Sequence, residues 1–255
     1  MFNYLIYIIS GLGAGIGTGL AGLSAAAIIS PMLITFLGFD PYEAVAISLA
    51  SDVLASAISA YTYGKNKNLD IKNGLVMLVT VLIFTLIGSY IASLVPSTTM
   101  GSFSVVMTFL LGIKFIVKPV MTTKEVREAK SQKEKNIQSL ICGCLIGFIC
   151  GFVGAGGGMM LLLILTSVLQ YELKTAVGTS VFIMAFTAFT GAASHMFIGG
   201  LPNIEALLVC MIATLIGAQV AALFANKAQP ATLNRATGVV LTILGGAMMI
   251  MKWIG

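Results

Sequence analysis

Charge is what this sequence has least of. Only 9% of its 255 residues are charged, against roughly 25% in a soluble domain, while 58% are hydrophobic and the mean hydropathy is +1.03. A soluble domain is excluded, because the longest polar run, TTKEVREAKSQKEKN at 122–136, is too short to bury a core. Histidine occurs once, and neither HExxH nor GxSG is present, so an intramembrane hydrolase lacks its machinery and no enzyme is expected. The few cysteines, Cys142, Cys144, Cys150 and Cys210, lie in apolar stretches without a CxxC or a paired histidine. They read as small hydrophobes, and no disulfide, metal or cofactor is expected. MFNYLIY lacks the basic segment that opens a signal peptide, so the first apolar stretch is expected to stay in the mature protein. The net charge of +5 sits in loops that flank apolar stretches, which fits membrane topology and not a nucleic-acid partner.

Apolar length is abundant. Eight stretches stand out, at about 4–37, 44–63, 74–95, 102–121, 137–169, 175–198, 204–225 and 236–254. Six are near the ~20 residues of a spanning helix, and two are too long for one simple span. The expected class is an all-α integral membrane protein with many crossings.

Sliding the chain by 132 residues lays Gly19, Gly22, Ala44, Val45, Ser48 and Ala60 on Gly151, Gly154, Ala176, Val177, Ser180 and Ala192. Two homologous repeats are expected, 1–121 and 137–255, joined by the charged linker 122–136; such repeats mark secondary transporters. Lys65, Lys67 and Lys72 at 64–73, and the basic linker, place those loops in the cytoplasm. If each long stretch crosses twice, Lys174, Lys227 and Arg235 also lie inside and only Lys252 outside. That count favours five segments per half and an inverted second half, with a parallel four-plus-four arrangement as the alternative. Two crossings in about 33 residues leave only ~25 Å of helix each, so each pair is expected to dip and return near mid-membrane.

The glycines GTGLAGLSAAA (17–27) and GFVGAGGGMM (151–160) interrupt both long stretches. A helix broken there exposes N–H groups to which an anion is attracted. Gly11, Gly15 and Gly19 form GxxxG steps, as do Gly147 and Gly151, and are expected to pack helices. Gly17, Gly19 and Gly22 match GxGxxG without the βαβ setting of a nucleotide site. Asp52 lies inside the span AVAISLASDVLASAISAYTY, where a carboxylate is by default functional, as a carrier of a coupling proton or a ligand for a cation such as sodium; a structural hydrogen bond is the alternative. Its repeat counterpart is Met184. Ser48, Ser51, Thr179 and Ser180 supply hydroxyls at matching depth in the two halves. With Gly22, Ser24, Gly154, Gly156, Gly157 and Gly158 they form the expected substrate site. His195 and Gln219 read as an interfacial anchor and an interhelical bond.

The pattern GFxxGxxGxGGG followed by AxGTS, here GFICGFVGAGGGMM and AVGTS (Ala176 to Ser180), resembles the sulfite exporter TauE/SafE family, also called TSUP. The resemblance runs over nearly the whole chain. It implies a multi-pass plasma-membrane transporter of small anions such as sulfite and organosulfonates, working among membrane lipid and able to form a homo-oligomer. The first half departs from the pattern: GLSAA (Gly22 to Ala26) stands for GAGGG, and AISLA for AxGTS, while Pro31 matches the family's proline. A passive anion channel and a structural membrane protein are the alternative classes.

Overall fold

The computed structural model describes residues 1–92, 109–110, 112–119, 131–153 and 157–254, and among them only helices occur as regular structure. These are α1 (Phe2–Ala21), α2 (Ala26–Leu37), α3 (Pro41–Lys65), α4 (Ile71–Ala92), α5 (Gln132–Val153), α6 (Gly157–Ser167), α7 (Leu173–Gly199), α8 (Ile204–Lys227) and α9 (Pro230–Ile254). A further helical turn covers 112–117. By length and apolarity α1, α3, α7 and α8 suffice to cross a membrane, and α2 and α4 contribute shorter apolar helices. The chain is an all-α membrane protein.

Local signals set the helix ends. Gly22 (φ 61°) closes α1 in the left-handed region, its N–H reaching the Thr18 carbonyl at 2.9 Å, and Gly38 (φ 65°) closes α2 in the same way; glycine occupies that region without the clash a Cβ brings. Asp40 caps α3 by accepting from the Tyr42 and Glu43 amides, with Pro41 at the first helical position. Asn203 caps α8 through the Ala206 amide.

The first long apolar stretch does break and return, although into unequal arms. α1 has 20 residues and α2 has 12, about 30 Å and 18 Å of rise. Tyr7, near the start of α1, meets Phe39, just past the end of α2, with ring centroids 6.2 Å apart, so the two helices form a hairpin. The second stretch repeats the form: α5 runs to Val153 and α6 resumes at Gly157. The intervening Gly154 and Gly156 lie outside the described residues, as do 93–108 and most of the linker.

Close packing follows the small residues. Gly11, Gly15 and Gly19 lie along α8: a Cβ at Gly11 would stand 2.7 Å from that of Ala213, and one at Gly15 or Gly19 would collide with the Thr214 or Ala218 carbonyl. Because lipid is as apolar as leucine, membrane helices associate by such close approach and not by hydrophobic burial. Gly143 and Gly147 of α5 press in the same way on Met77 and Val81 of α4. The third large interface joins α3 to α7. It is antiparallel: Leu49 touches Gly191, and Tyr63, fourteen positions later, touches Gly178, thirteen earlier.

These pairings sort the helix ends. At one end of the bundle Tyr42 stacks on His195 at 4.4 Å and the Asn203 amide donates to Glu43 at 2.8 Å. At the other, Asn68 donates to Asn226 at 2.7 Å, Lys174 reaches the Asn226 carbonyl at 2.9 Å, and Gln132 donates to Asn73. The first is the acidic end, with Asp40, Glu43 and Glu205. The second holds Lys65, Lys67, Lys72, Lys174 and Lys227 and is the basic end. Gln219 accepts from Thr62 at 2.9 Å, an interhelical bond between α8 and α3.

The α1–α8 seam yields a test. Gly15→Ala is expected to destabilise the purified protein by about 1–3 kcal/mol, the usual cost of overpacking, whereas Gly13→Ala, whose Cβ meets nothing within 4 Å, leaves it unchanged or slightly more stable. Thermal melts in detergent check this, and equal Tm values for the two variants would contradict the packing described.

Candidate functional site

The interruption at 22–25 lies against the middle of α3. Its backbone is held on both sides. Tyr63 donates to the Gly19 carbonyl at 2.8 Å, and Thr18 Oγ1 donates to the Leu23 carbonyl at 2.7 Å. The N-cap residue of α2, Ala25, makes no side-chain cap; Ser24 Oγ accepts from the Ala26 amide at 3.4 Å, and the shorter bond to the helix start comes from α3. Asp52 Oδ2 accepts from Ser24 Oγ at 2.8 Å and from the Ala25 amide at 3.1 Å, and Oδ1 accepts from Ser56 Oγ at 2.9 Å. Asp52 is 1% exposed. A buried carboxylate is tolerated when its oxygens are met by donors and a helix dipole points its positive end at it, and both conditions hold here.

The start of α6 meets the first break. A Cβ placed on Gly158, at the start of α6, would lie 2.9 Å from the Ser24 amide nitrogen and 2.8 Å from Met184 Sδ, with the Gly22 carbonyl beside it. A Cβ on Gly22 would collide with the Ser180 hydroxyl. Gly22, Ser24, Asp52, Gly158 and Ser180 therefore form one buried cluster between the halves, with Gly157 adjoining it in sequence. Glycine is required at Gly158 because backbone approaches backbone there, and at Gly22 because its φ is left-handed and the Ser180 side chain fills the space a Cβ would take.

The other expected residues are placed differently. Ser48 pairs with Ser30 Oγ at 2.6 Å and donates to the Ala44 carbonyl, which stitches α2 to α3. Ser51 donates to the Ile47 carbonyl of its own helix at 2.8 Å. Thr179 Oγ1 accepts from the Asp70 amide at 3.2 Å, at the start of α4. Gly154 and Gly156 lie outside the described residues. His195 stacks on Tyr42 at the acidic end, away from the cluster.

Three contributors were not singled out from sequence. Ser56 is one helical turn from Asp52, and that i, i+4 spacing was the available signal. Tyr63 stands at the repeat position of His195 but faces the break. Ser59 lies on the same α3 face, at i+7 from Asp52; its hydroxyl is fully buried and has no hydrogen-bond partner among the described residues.

The two halves differ at their centre. Asp52 supplies the negative charge at the N-terminus of α2, and its counterpart Met184 brings only a thioether to the N-terminus of α6. Among the described residues no group of His, Cys, Asp or Glu is arranged to hold a metal ion.

Interrupted helices that meet inside an apolar bundle, with a carboxylate at the junction, are the architecture of membrane transporters. The chain belongs to the family described as Sulfite exporter TauE/SafE, which matches residues 7–248. It is 25% identical to "Probable membrane transporter protein YunE" of Bacillus subtilis (strain 168), over 95% of this chain and 96% of that protein. It is likewise 25% identical to "Probable membrane transporter protein MJ0441" of Methanocaldococcus jannaschii, over 96% and 95%. A third relative, "Probable membrane transporter protein YdhB" of Bacillus subtilis (strain 168), is 22% identical over 91% and 94%. The protein is a membrane transporter and not an enzyme.

Gly22 provides the sharpest check on this site. Gly22→Ala combines a left-handed φ, which costs an L-residue about 1–2 kcal/mol, with the collision against Ser180. It is expected to lower Tm, and adding Ser180→Ala is expected to recover part of the loss. A double variant no better than Gly22→Ala alone would mean that the Ser180 contact is not close.

Proposed function

We propose that the protein is a secondary transporter that exports small anions of the sulfite or organosulfonate kind across the plasma membrane, by alternating access at the junction of the two helix breaks. The observation that carries this reading is the contact of Gly158 with the Gly22–Ser24 backbone. Polar backbone from both long stretches converges there, where lipid could not satisfy it. The family's description points to sulfite. Gly22, Ser24, Gly154, Gly156, Gly157, Gly158 and Ser180 are the proposed lining, with the hydroxyl of Ser59, which has no partner among the described residues, as a further donor. Ser48, Ser51 and Thr179 support that lining from helix interfaces. Neutral donors suit cargo that must be released, because no bound lysine or arginine has to be stripped from it.

Asp52 is the proposed coupling group. As an ionised acceptor it ties the break to α3 through three donors. Taking up a proton, or a sodium ion drawn to its charge, weakens at least one of those ties and loosens the break while the anion is bound or released.

Two inverted halves, five segments each, are the proposed frame. The antiparallel α3–α7 pair supports this: two helices related by an axis lying in the membrane plane must run in opposite directions. The remaining interfaces agree, since moving by one repeat turns α1 against α8 into α5 against α4. These cross-repeat seams also mean that the bodies able to rock are packed pairs, α1 with α8 and α4 with α5, on either side of α3 and α7. The basic end and the linker 122–136 face the cytoplasm by the positive-inside rule.

Proteoliposomes loaded with sulfite, sulfate, sulfoacetate or a 2-oxoacid are expected to show saturable counterflow of at least one of these anions. Absence of flux for all would sink the reading, and currents too large for a carrier cycle would replace it with a channel. Asp52→Asn is expected to fold and to lose the dependence of flux on a proton or sodium gradient; gradient dependence equal to wild type would remove Asp52 from coupling. Reporter fusions at residue 200 and at the C-terminus are expected to report an external location, and a cytoplasmic C-terminus would overturn the inverted frame.

A further inference from the structure

The two ends of the bundle are not in the same condition. The loop between α3 and α4 at the basic end corresponds, one 132-residue repeat later, to the loop between α7 and α8 at the acidic end: Asn68, Leu69 and Asp70 against Gly200, Leu201 and Pro202. At the basic end this loop is bound on several sides. Asn68 Nδ2 donates to Asn226 Oδ1 of α8 at 2.7 Å, and the Asp70 amide donates to Thr179 Oγ1 of α7. The Tyr171 hydroxyl, from the α6–α7 connection, donates to Asp70 Oδ2 at 2.8 Å, and Asn73 anchors the same carboxylate from α4.

At the acidic end the counterpart residues cannot make these bonds. Gly200 has no side chain, Leu201 has no polar atom, and Pro202 has no N–H. All three instead line a cavity of about 320 Å³ together with Tyr42, Glu43 and His195. Leu201 is 81% exposed. The counterpart of Tyr171 is Phe39, whose ring packs on Tyr7 and has no hydroxyl to donate. The Asn203 amide, at the end of this loop and the N-cap of α8, does reach Glu43 at 2.8 Å, but residues 200–202 themselves offer no side-chain donor or acceptor.

We propose that the Asp70–Tyr171 and Asn68–Asn226 contacts are a gate that closes the basic end of the transport path, and that this structure is the state open toward the acidic end. Tyr171 and Asp70 are positioning residues, holding the start of α4 against α7 while the other end admits solvent. The Asn68–Asn226 contact ties the loop that leads into α4 to α8 of the α1–α8 pair, and the Asp70–Tyr171 contact ties the start of α4 to the α6–α7 connection. Movement of α4–α5 relative to α1–α8 is the proposed transport step, so the inference rests on the alternating-access reading above. Asp70 serves a second purpose when the gate is shut: its charge, held in the gate by Tyr171 and Asn73, opposes an anion leaving that way.

The test replaces Cys142, Cys144, Cys150 and Cys210 by Ala and introduces Ser180→Cys as a reporter, beneath the gate and against Gly22. In proteoliposomes of one orientation, an impermeant methanethiosulfonate reagent added only on the side of the basic end is expected to label this thiol about tenfold faster in Tyr171→Phe and in Asp70→Asn than in the parent, the shift that losing one net hydrogen bond carries. Melts of each variant identify any that is merely unfolded. Equal labelling rates in folded variants would overturn the gate. In a second arm, without the reporter, Asn68→Cys with Asn226→Cys is cross-linked in the folded protein. Cross-linking is expected to abolish sulfite counterflow about tenfold or more, with recovery on reduction, as trapping one end of a two-state cycle requires. Counterflow that persists in the cross-linked protein would overturn the proposal, since a static scaffold contact tolerates a bridge. Labelling needs no substrate, so a change in labelling without flux of any anion would count against the transporter reading and leave the gate standing.

Discussion

Backbone that leaves the helix inside an apolar bundle must find partners in protein, and the rest of this structure depends on how that is met. At residues 22–25 the partners come from α3. Asp52 takes the Ala25 amide and the Ser24 hydroxyl, and Tyr63 takes the Gly19 carbonyl. Without those bonds the interruption would leave donors and acceptors unpaired at a cost of several kcal/mol each in an apolar setting. The carboxylate is in turn stable there only because the break supplies it with donors. Break and charge are each the condition for the other.

That dependence gives the two halves unlike centres. An anion that approached the N-terminus of α2 would meet a carboxylate already seated there, whereas the N-terminus of α6 faces Met184 and the Gly22–Ser24 backbone. On the proposed reading, one helix terminus would serve the ion and the other the cargo. The ends of the bundle carry a similar imbalance, with polar side chains crossing the basic end and glycine, leucine and proline in the matching loop of the other.

Much of this was legible in the sequence, for identifiable reasons. GxxxG at Gly11, Gly15 and Gly19 signals close approach because only glycine brings backbones into contact, and the α1–α8 seam is built on it. The two long apolar stretches were too long for one crossing and too short for two full ones, and α1 with α2 resolves that as one long arm and one short. Asp52 was conspicuous as a charge in a span. Its partners were less so: Ser56 could be found at i+4, but Ser24 and the Ala25 amide are more than 25 positions away, and no local pattern links them. Ser48 and Ser51 were expected in the same substrate site, yet one stitches α2 to α3 and the other bonds its own helix. Serine in a membrane helix serves both uses equally well, and only the facing surface decides.

The sequence by itself determined the solvent, the all-helical class and the glycine at which the first long stretch leaves its helix. These are one-dimensional properties, set by side-chain transfer energy and by the conformational freedom of glycine. The tertiary structure alone decided which stretches face each other and how the carboxylate is held, and it brought Tyr171 to Asp70 across 101 positions. Such pairings depend on helix direction and rotation in three dimensions. Residues spaced widely along the chain carry no periodic trace of a contact that exists only once the helices have packed.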